Sequence, residues 1–163
     1  MAGENMSPTL MSGTAAEHLV CADLLLNGYK AFLAPQICSY DVVAEINGKL
    51  LRIQVKSVKT VRPNISVRRQ TSKVYQWSIR KRNRMAYGND EFDLLALVAL
   101  DSRQIAYTAR EATSTLACVC IRANGEKMGL RGQIGRTFAE YSLQAALAGN
   151  APMSLKRGAR IIS

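Results

Sequence analysis

The chain predicts an α/β fold in which helices flank a β-sheet, and three observations carry that expectation. A stretch with helical apolar spacing runs from Gly13 to Gly28. An Asn47-Gly48 pair, the strongest short signal for a two-residue hairpin turn, joins two alternating segments. Further on, Val74 to Ile79 alternates in the manner of a strand. At 163 residues the chain fits one domain with a substantial core. Its parts read as an N-terminal extension over 1–12, a single domain over 13–150 and a basic C-terminal tail over 151–163.

The first helix is expected from about Ala15 to Leu26, with Leu19, Val20, Leu24 and Leu26 forming its apolar surface and Asn27-Gly28 ending it. Thr14-x-x-Glu17 matches a capping box, in which Glu17 satisfies a helix-end amide.

The hairpin comes next. With Asn47-Gly48 as the turn, Ile46 pairs with Lys49, and counting outward puts Asp41 opposite Gln54. Leu51, Ile53 and Val55 alternate with Arg52, Gln54 and Lys56, so the second strand has one apolar and one polar face. Directly opposed residues share a face, which brings Asp41, Gln54 and Lys56 together. A solvated amphipathic hairpin gives the same alternation. A carboxylate, an amide oxygen and an ammonium on one patch is also what metal-assisted cleavage of a phosphodiester needs.

Charge is concentrated just after Lys56. The span from Ser57 to Arg84 holds nine of the 22 Lys and Arg residues and none of the 12 Asp and Glu. It therefore supplies most of the net charge of +10. Lys59, Arg62, Arg68, Arg69, Lys73, Arg80, Lys81, Arg82 and Arg84 are candidate contacts to nucleic-acid phosphates, which give salt-dependent, largely sequence-independent affinity. The alternative is a basic loop that only keeps the protein dispersed. Two strand-like runs lie inside the span, Ile65 to Arg69 and Val74 to Ile79. Tyr75 and Trp77 alternate with polar residues in the second, and such a large aromatic pair is expected in the core.

After Asp101 the pattern weakens. Arg110 to Cys120 reads as a short helix or a helix–strand connection, and Asn124-Gly125-Glu126 as a turn. Thr137 to Ala148 reads as a late helix, with Phe138, Tyr141, Ala145 and Leu147 as its apolar candidates. The tail carries Lys156, Arg157 and Arg160, expected at a solvated terminus.

The stretch from Met1 to Met11 lacks a basic region and an apolar signal core, and Phe92 to Leu100 is too short to span a bilayer. A cytoplasmic protein without membrane contact is expected, from a bacterial or phage-infected cell. Cys21, Cys38, Cys118 and Cys120 lack zinc-ligand spacing, and His18 stands alone, so reduced, mostly buried thiols and no structural metal are expected.

The order of these motifs resembles the PD-(D/E)XK nuclease superfamily over roughly residues 13 to 110. The carrying residues are Glu17 on the first helix, Asp41 in Ser-Tyr-Asp-Val-Val, Ile53-Gln54-Val55-Lys56, and Tyr87 to Val98, which resembles the next core strand, with Ile105-Ala106-Tyr107-Thr108 as its hairpin partner. The Ile-Gln-Val-Lys form is most similar to the group I intron homing-endonuclease branch. Two departures stand out: Tyr40 occupies the position of the motif's proline, and Gln54 that of its second carboxylate.

The resemblance implies a restriction-endonuclease-like core with a mixed β-sheet. It also implies a metal-dependent DNA endonuclease with Glu17, Asp41, Gln54 and Lys56 as catalytic residues. Asp41, Gln54 and the backbone carbonyl of Val55 would ligate Mg²⁺, for which Mn²⁺ can substitute, and Glu17 would act through water. Double-stranded DNA is the implied partner, and a homodimer or homotetramer the implied assembly. Two alternatives stand beside homing: a Holliday-junction resolvase or restriction-like nuclease, and a non-catalytic nucleic-acid-binding module.

Overall fold

The computed structural model describes residues 7–65, 71–81, 83, 85–114, 116–124 and 136–149. Helix α1 spans Pro8–Leu26. Ser7 caps it, its hydroxyl accepting from the Leu10 N–H at 3.3 Å, and Pro8 fills the first position, where a missing N–H costs nothing. The helix thus begins before Gly13, and the capping-box reading is overturned: Thr14 and Glu17 both lie inside it. Its buried stripe is Ala16, Val20 and Leu24, with Leu19 and Cys21 partly buried beside them. Leu26, expected on that stripe, is 88% exposed, because it falls on the far side of the last turn.

Strand β1 spans Lys30–Leu33, β2 Val42–Ile46 and β3 Lys49–Val58. The β2–β3 register pairs Ile46 with Lys49 and Val42 with Ile53, as the hairpin turn dictates. Asn47 and Gly48 both take positive φ, the backbone such a turn demands. Strands β4 (Arg62–Ile65) and β5 (Thr71–Ser78) follow, then β6 (Leu94–Ala99) and β7 (Gln104–Ala109). A five-stranded sheet runs in the order β1-β2-β3-β6-β7, antiparallel throughout except for the parallel β3–β6 pair. It is a mixed sheet flanked by helices, the restriction-endonuclease-like arrangement.

Helix α2 (Arg110–Thr113) and strand β8 (Cys118–Arg122) resolve the open reading of that region as a helix followed by a strand. Strand β8 pairs with β5, giving a second sheet in the order β4-β5-β8. The expected late helix is broken. A 3₁₀ turn covers Phe138–Tyr141, and α3 covers Leu143–Leu147 with Ser142 as its cap. Phe138 and Tyr141 are buried and Leu147 packs partly buried against the core, as expected, but the break shifts the helical phase, so Leu143 and Ala146 are buried and Ala145 is not.

Two cores result. Helices α1 and α3 pack on one face of the large sheet, against Val42, Ala44, Ile46, Ile53, Val55 and alternate residues of β6. The second sheet covers the other face of β6, where Leu95, Leu97 and Ala99 meet Tyr75, Trp77, Val119 and Ile121. Every residue of β6 is buried, the mark of a strand covered on both sides. Tyr75 and Trp77 are core residues as expected, and the Trp77 indole donates to the Val98 carbonyl at 3.1 Å. All four cysteines are free, but Cys118 is exposed and the other three are only partly buried, which corrects the expectation of mostly buried thiols. Among the described residues no helix is long and apolar enough to cross a membrane.

Candidate active site

Asp41 sits immediately before β2. Its N–H donates to the Ile53 carbonyl at 2.9 Å and its own carbonyl accepts from the Ala34 N–H at 2.8 Å, so its backbone is held from both neighbouring strands. Its side chain then does what β2 no longer does: Oδ2 accepts from the Val55 N–H at 2.7 Å, capping a ladder donor just beyond the end of that strand. The Gln54 side-chain amide donates to the same oxygen. Asp41 and Gln54 therefore meet as the hairpin register predicts.

Gln54 and Lys56 lie beside Leu95 and Leu97 of β6, on the face turned toward the second sheet. Lys56 Nζ donates to the Arg80 carbonyl at 3.3 Å and stands 5.1 Å from the centre of the Tyr87 ring. Burial pulls the Lys56 ammonium below its ordinary pKa, while the Asp41 charge opposes that shift. Burial pushes the Asp41 carboxyl up, against the Val55 N–H, the Lys56 charge and the Gln54 amide. Glu17 belongs to α1, which packs on the opposite face of the sheet, and it lies near enough to Asp41 to feel its charge. Burial and then the charge of Asp41 raise its carboxyl, and His18 works the other way.

These residues suit a hard divalent cation. Two carboxylates carry more negative charge than their burial favours, and a cation relieves it. The Gln54 Nε2 lies between two oxygens, Asp41 Oδ2 and the Val55 carbonyl, the latter 3.4 Å away. A partly positive group already occupies the spot where oxygen ligands converge. The same amide carries an oxygen, so the side chain can serve as either donor or ligand.

An open cleft of about 730 Å³ leads away from Lys56 between the two sheets, lined by Ser57, Val58, Trp77, Ser78, Arg80, Lys81 and Ala117. Of the expected phosphate contacts, Arg80 and Lys81 are at this cleft. Lys81 is already engaged with Glu91, whose carboxyl is held low chiefly by that contact. Lys59, Arg62 and Lys73 are exposed on the segments that lead toward and through the second sheet. Arg68, Arg69, Arg82 and Arg84, like Lys156, Arg157 and Arg160 of the tail, lie outside the described residues.

Sequence reasoning placed Tyr87 to Asp93 within the core strand, but β6 begins at Leu94 and these residues form the loop before it. Arg52, on the polar face of β3, grips Asp93 through its backbone N–H, Nε and Nη2 at 2.8, 3.1 and 2.9 Å. Arg110, buried in α2, donates to the carbonyls of Tyr87 and Gly88 at 2.6 and 3.3 Å. These clasps hold Tyr87 beside Lys56. The only sequence hint was Gly88-Asn89-Asp90, which marks a turn but not what the turn delivers.

A bacterial homing endonuclease, I-Ssp6803I, has a similar fold: the likeness covers 77% of this chain and 86% of that one, with a TM-score of 0.56 at 19% identity. No curated protein sequence matches. The sequence profile described as PD-(D/E)XK endonuclease matches residues 8–141, a span that begins with α1, contains the Asp41–Gln54–Lys56 hairpin and runs through the second sheet to the 3₁₀ turn. That match spans most of the chain, and the chain belongs to the PD-(D/E)XK endonuclease family.

Proposed function

We propose that this chain is a divalent-metal-dependent DNA endonuclease that cuts double-stranded DNA at defined sites, as homing endonucleases do. The observation that carries the reading is the meeting of the Asp41 carboxylate, the Gln54 amide and the Val55 carbonyl, with the Lys56 ammonium beside them. Mg²⁺ or Mn²⁺ would be held by Asp41, Gln54 and the Val55 carbonyl. The chemistry supplied by such an ion is polarisation of the scissile phosphate and acidification of water.

The chain's own residues do the rest. Lys56 donates hydrogen bonds to a phosphate oxygen and stabilises the charge that builds on pentavalent phosphorus. Glu17 orders the attacking water through its carboxylate. No side chain acts as nucleophile; water forms the new P–O bond as the bond to the leaving oxygen breaks. Arg80 and Lys81 contact the backbone along the cleft. One compact site cuts one strand, so a homodimer or homotetramer in the cytoplasm is the form that severs a duplex.

Purified protein should nick or cut plasmid DNA with Mg²⁺ or Mn²⁺ and stop in chelator. Asp41→Ala and Lys56→Ala should each abolish cutting while DNA binding persists. Undiminished cutting by both variants would sink this assignment. Binding without cleavage under any divalent cation would favour a non-catalytic binding module, a reading that the glutamine at position 54 keeps in play. Preference for a four-way junction over linear duplex would favour a junction resolvase.

A further inference from the structure

Tyr87 precedes β6 in the loop that no part of the proposed chemistry uses. Its ring centre lies 5.1 Å from Lys56 Nζ and 5.7 Å from Lys81 Nζ. An ammonium within about 6 Å of an aromatic centre is attracted by the negative face of the ring. The ring is itself fixed. Phe92 meets it edge-on, 5.0 Å between centres and 81° between planes. Arg110 holds its backbone carbonyl at 2.6 Å, and the Arg110 guanidinium rests 5.5 Å from the Phe92 ring. Arg110 is in turn tied to the start of β6, its N–H donating to the Asp93 carbonyl at 3.0 Å.

Lys56 needs such a restraint. A lysine stem has four rotatable carbons and a point charge, so one hydrogen bond does not define where the ammonium sits. Among the described residues this ammonium makes a single hydrogen bond, the long one to Arg80, and the cleft beside it is open.

We propose that Tyr87 is a positioning residue for Lys56: the face of its ring, fixed by Arg110 and Phe92, holds the ammonium beside Asp41. The placement stands on geometry alone; its effect on cleavage rests on the nuclease reading. The contact is made by the ring and not the hydroxyl, so Tyr87→Phe keeps it and Tyr87→Leu loses it. Burial, then the charges of Asp41 and Glu91, push the phenol up to about 12, which keeps the ring neutral at working pH.

The test has two readouts on the full chain. Protons of the Lys56 ε-methylene, assigned through Lys56→Arg, should be shifted upfield by the ring current in the wild type and in Tyr87→Phe, and should return to the ordinary position in Tyr87→Leu. In plasmid cleavage, Tyr87→Leu should lower kcat by roughly tenfold with KM for DNA little changed, and Tyr87→Phe should restore it. An unshifted Lys56 resonance in the wild type would overturn the proposal without any variant, even if Tyr87→Leu does not fold. Full kcat in Tyr87→Leu, or a loss in Tyr87→Phe equal to that in Tyr87→Leu, would overturn it as well. A shifted Lys56 in a protein that cuts no DNA would uphold the placement while the nuclease reading falls.

Discussion

Arg52 and Asp93 are joined through side chain and backbone at once. Beyond the three bonds that Arg52 donates to the carboxylate, the Asp93 N–H donates to the Arg52 carbonyl at 2.8 Å. This pair locks the loop carrying Tyr87 to the strand carrying Gln54 and Lys56, just where β3 and β6 begin to run parallel. The Arg52 side chain holds the Asp93 carboxyl below the usual carboxylate range, against its partial burial. A carboxyl made more acidic by folding adds stability above its unfolded pKa of roughly 4, and that stability is lost as pH falls through the lower folded value.

Asp93→Asn should therefore destabilise by about 1 kcal/mol near neutral pH, a modest figure because the pair is partly exposed. The difference from wild type should vanish in strong acid, where Asp93 is protonated in both states. Urea midpoints measured across that range provide the check. An equal loss at every pH would mean that shape rather than charge makes the contact.

Gly13 offers a gain in stability. It lies inside α1, and a methyl group built there meets nothing within 4 Å. Gly13→Ala should raise stability by about 0.5–1 kcal/mol, because alanine has less backbone freedom to lose. Thermal unfolding of the variant would report it. A neutral or negative change would argue that the helix starts at Gly13 after all.

Gln54 is the least typical of the proposed ligands, and changing it has a definite sign. Gln54→Glu removes the amide donated to Asp41 and sets a further carboxylate against it. The variant should fold but be less stable than wild type in chelator. It should also gain more from Mn²⁺, Mg²⁺ or Ca²⁺, since a cation that binds only the folded chain adds roughly 2.7 kcal/mol at a hundredfold excess over Kd. Melting temperatures with each ion settle the matter. An unchanged ion preference would mean that Gln54 does not touch the metal.

Arg80 and Lys81 should differ in their contribution to DNA binding, although they are adjacent. Lys81 must leave Glu91 to reach a phosphate, whereas among the described residues Arg80 forms no such ion pair. Arg80→Gln should reduce the slope of log affinity against log salt by about 0.9, the value for one phosphate contact on duplex DNA. Lys81→Gln should reduce it by less. Binding measured over a salt series, with circular dichroism as the folding control, distinguishes them. Wild-type slopes in both variants would leave this cluster a solvated charge run.

The parts of the fold that were legible in the sequence are those governed by near neighbours. Asn47-Gly48 determined the hairpin, its register followed, and with it the contact of Asp41 with Gln54. Local chemistry also misled. Gly13 looked like a helix boundary and Thr14-x-x-Glu17 like a cap, but Ser7 and Pro8 start the helix earlier. The pairing of β5 with β8 and the approach of Arg110 to Tyr87 join segments far apart in the chain. No periodicity encodes such contacts, since each depends on the packing of both cores. Tyr87 was read only as the start of a strand for that reason: its place beside Lys56 is created by Arg110 and Phe92, and not by its own neighbours in sequence.

The parallel pairing of β3 with β6 also imposes an order of assembly. The β2–β3 hairpin closes over two residues, a step of microseconds with little loop entropy to overcome. Strand β6 reaches β3 only after the chain has travelled out through β4 and β5 and back. Asp41 and Gln54 can thus come together while the nascent chain is still largely open, but Lys56 acquires Arg80 and Tyr87 only when the long excursion closes. The acidic half of the cluster is a local, early-forming unit and the setting of its lysine a late, high-contact-order one, so activity should return on refolding with the slow phase and not with the first appearance of the hairpin.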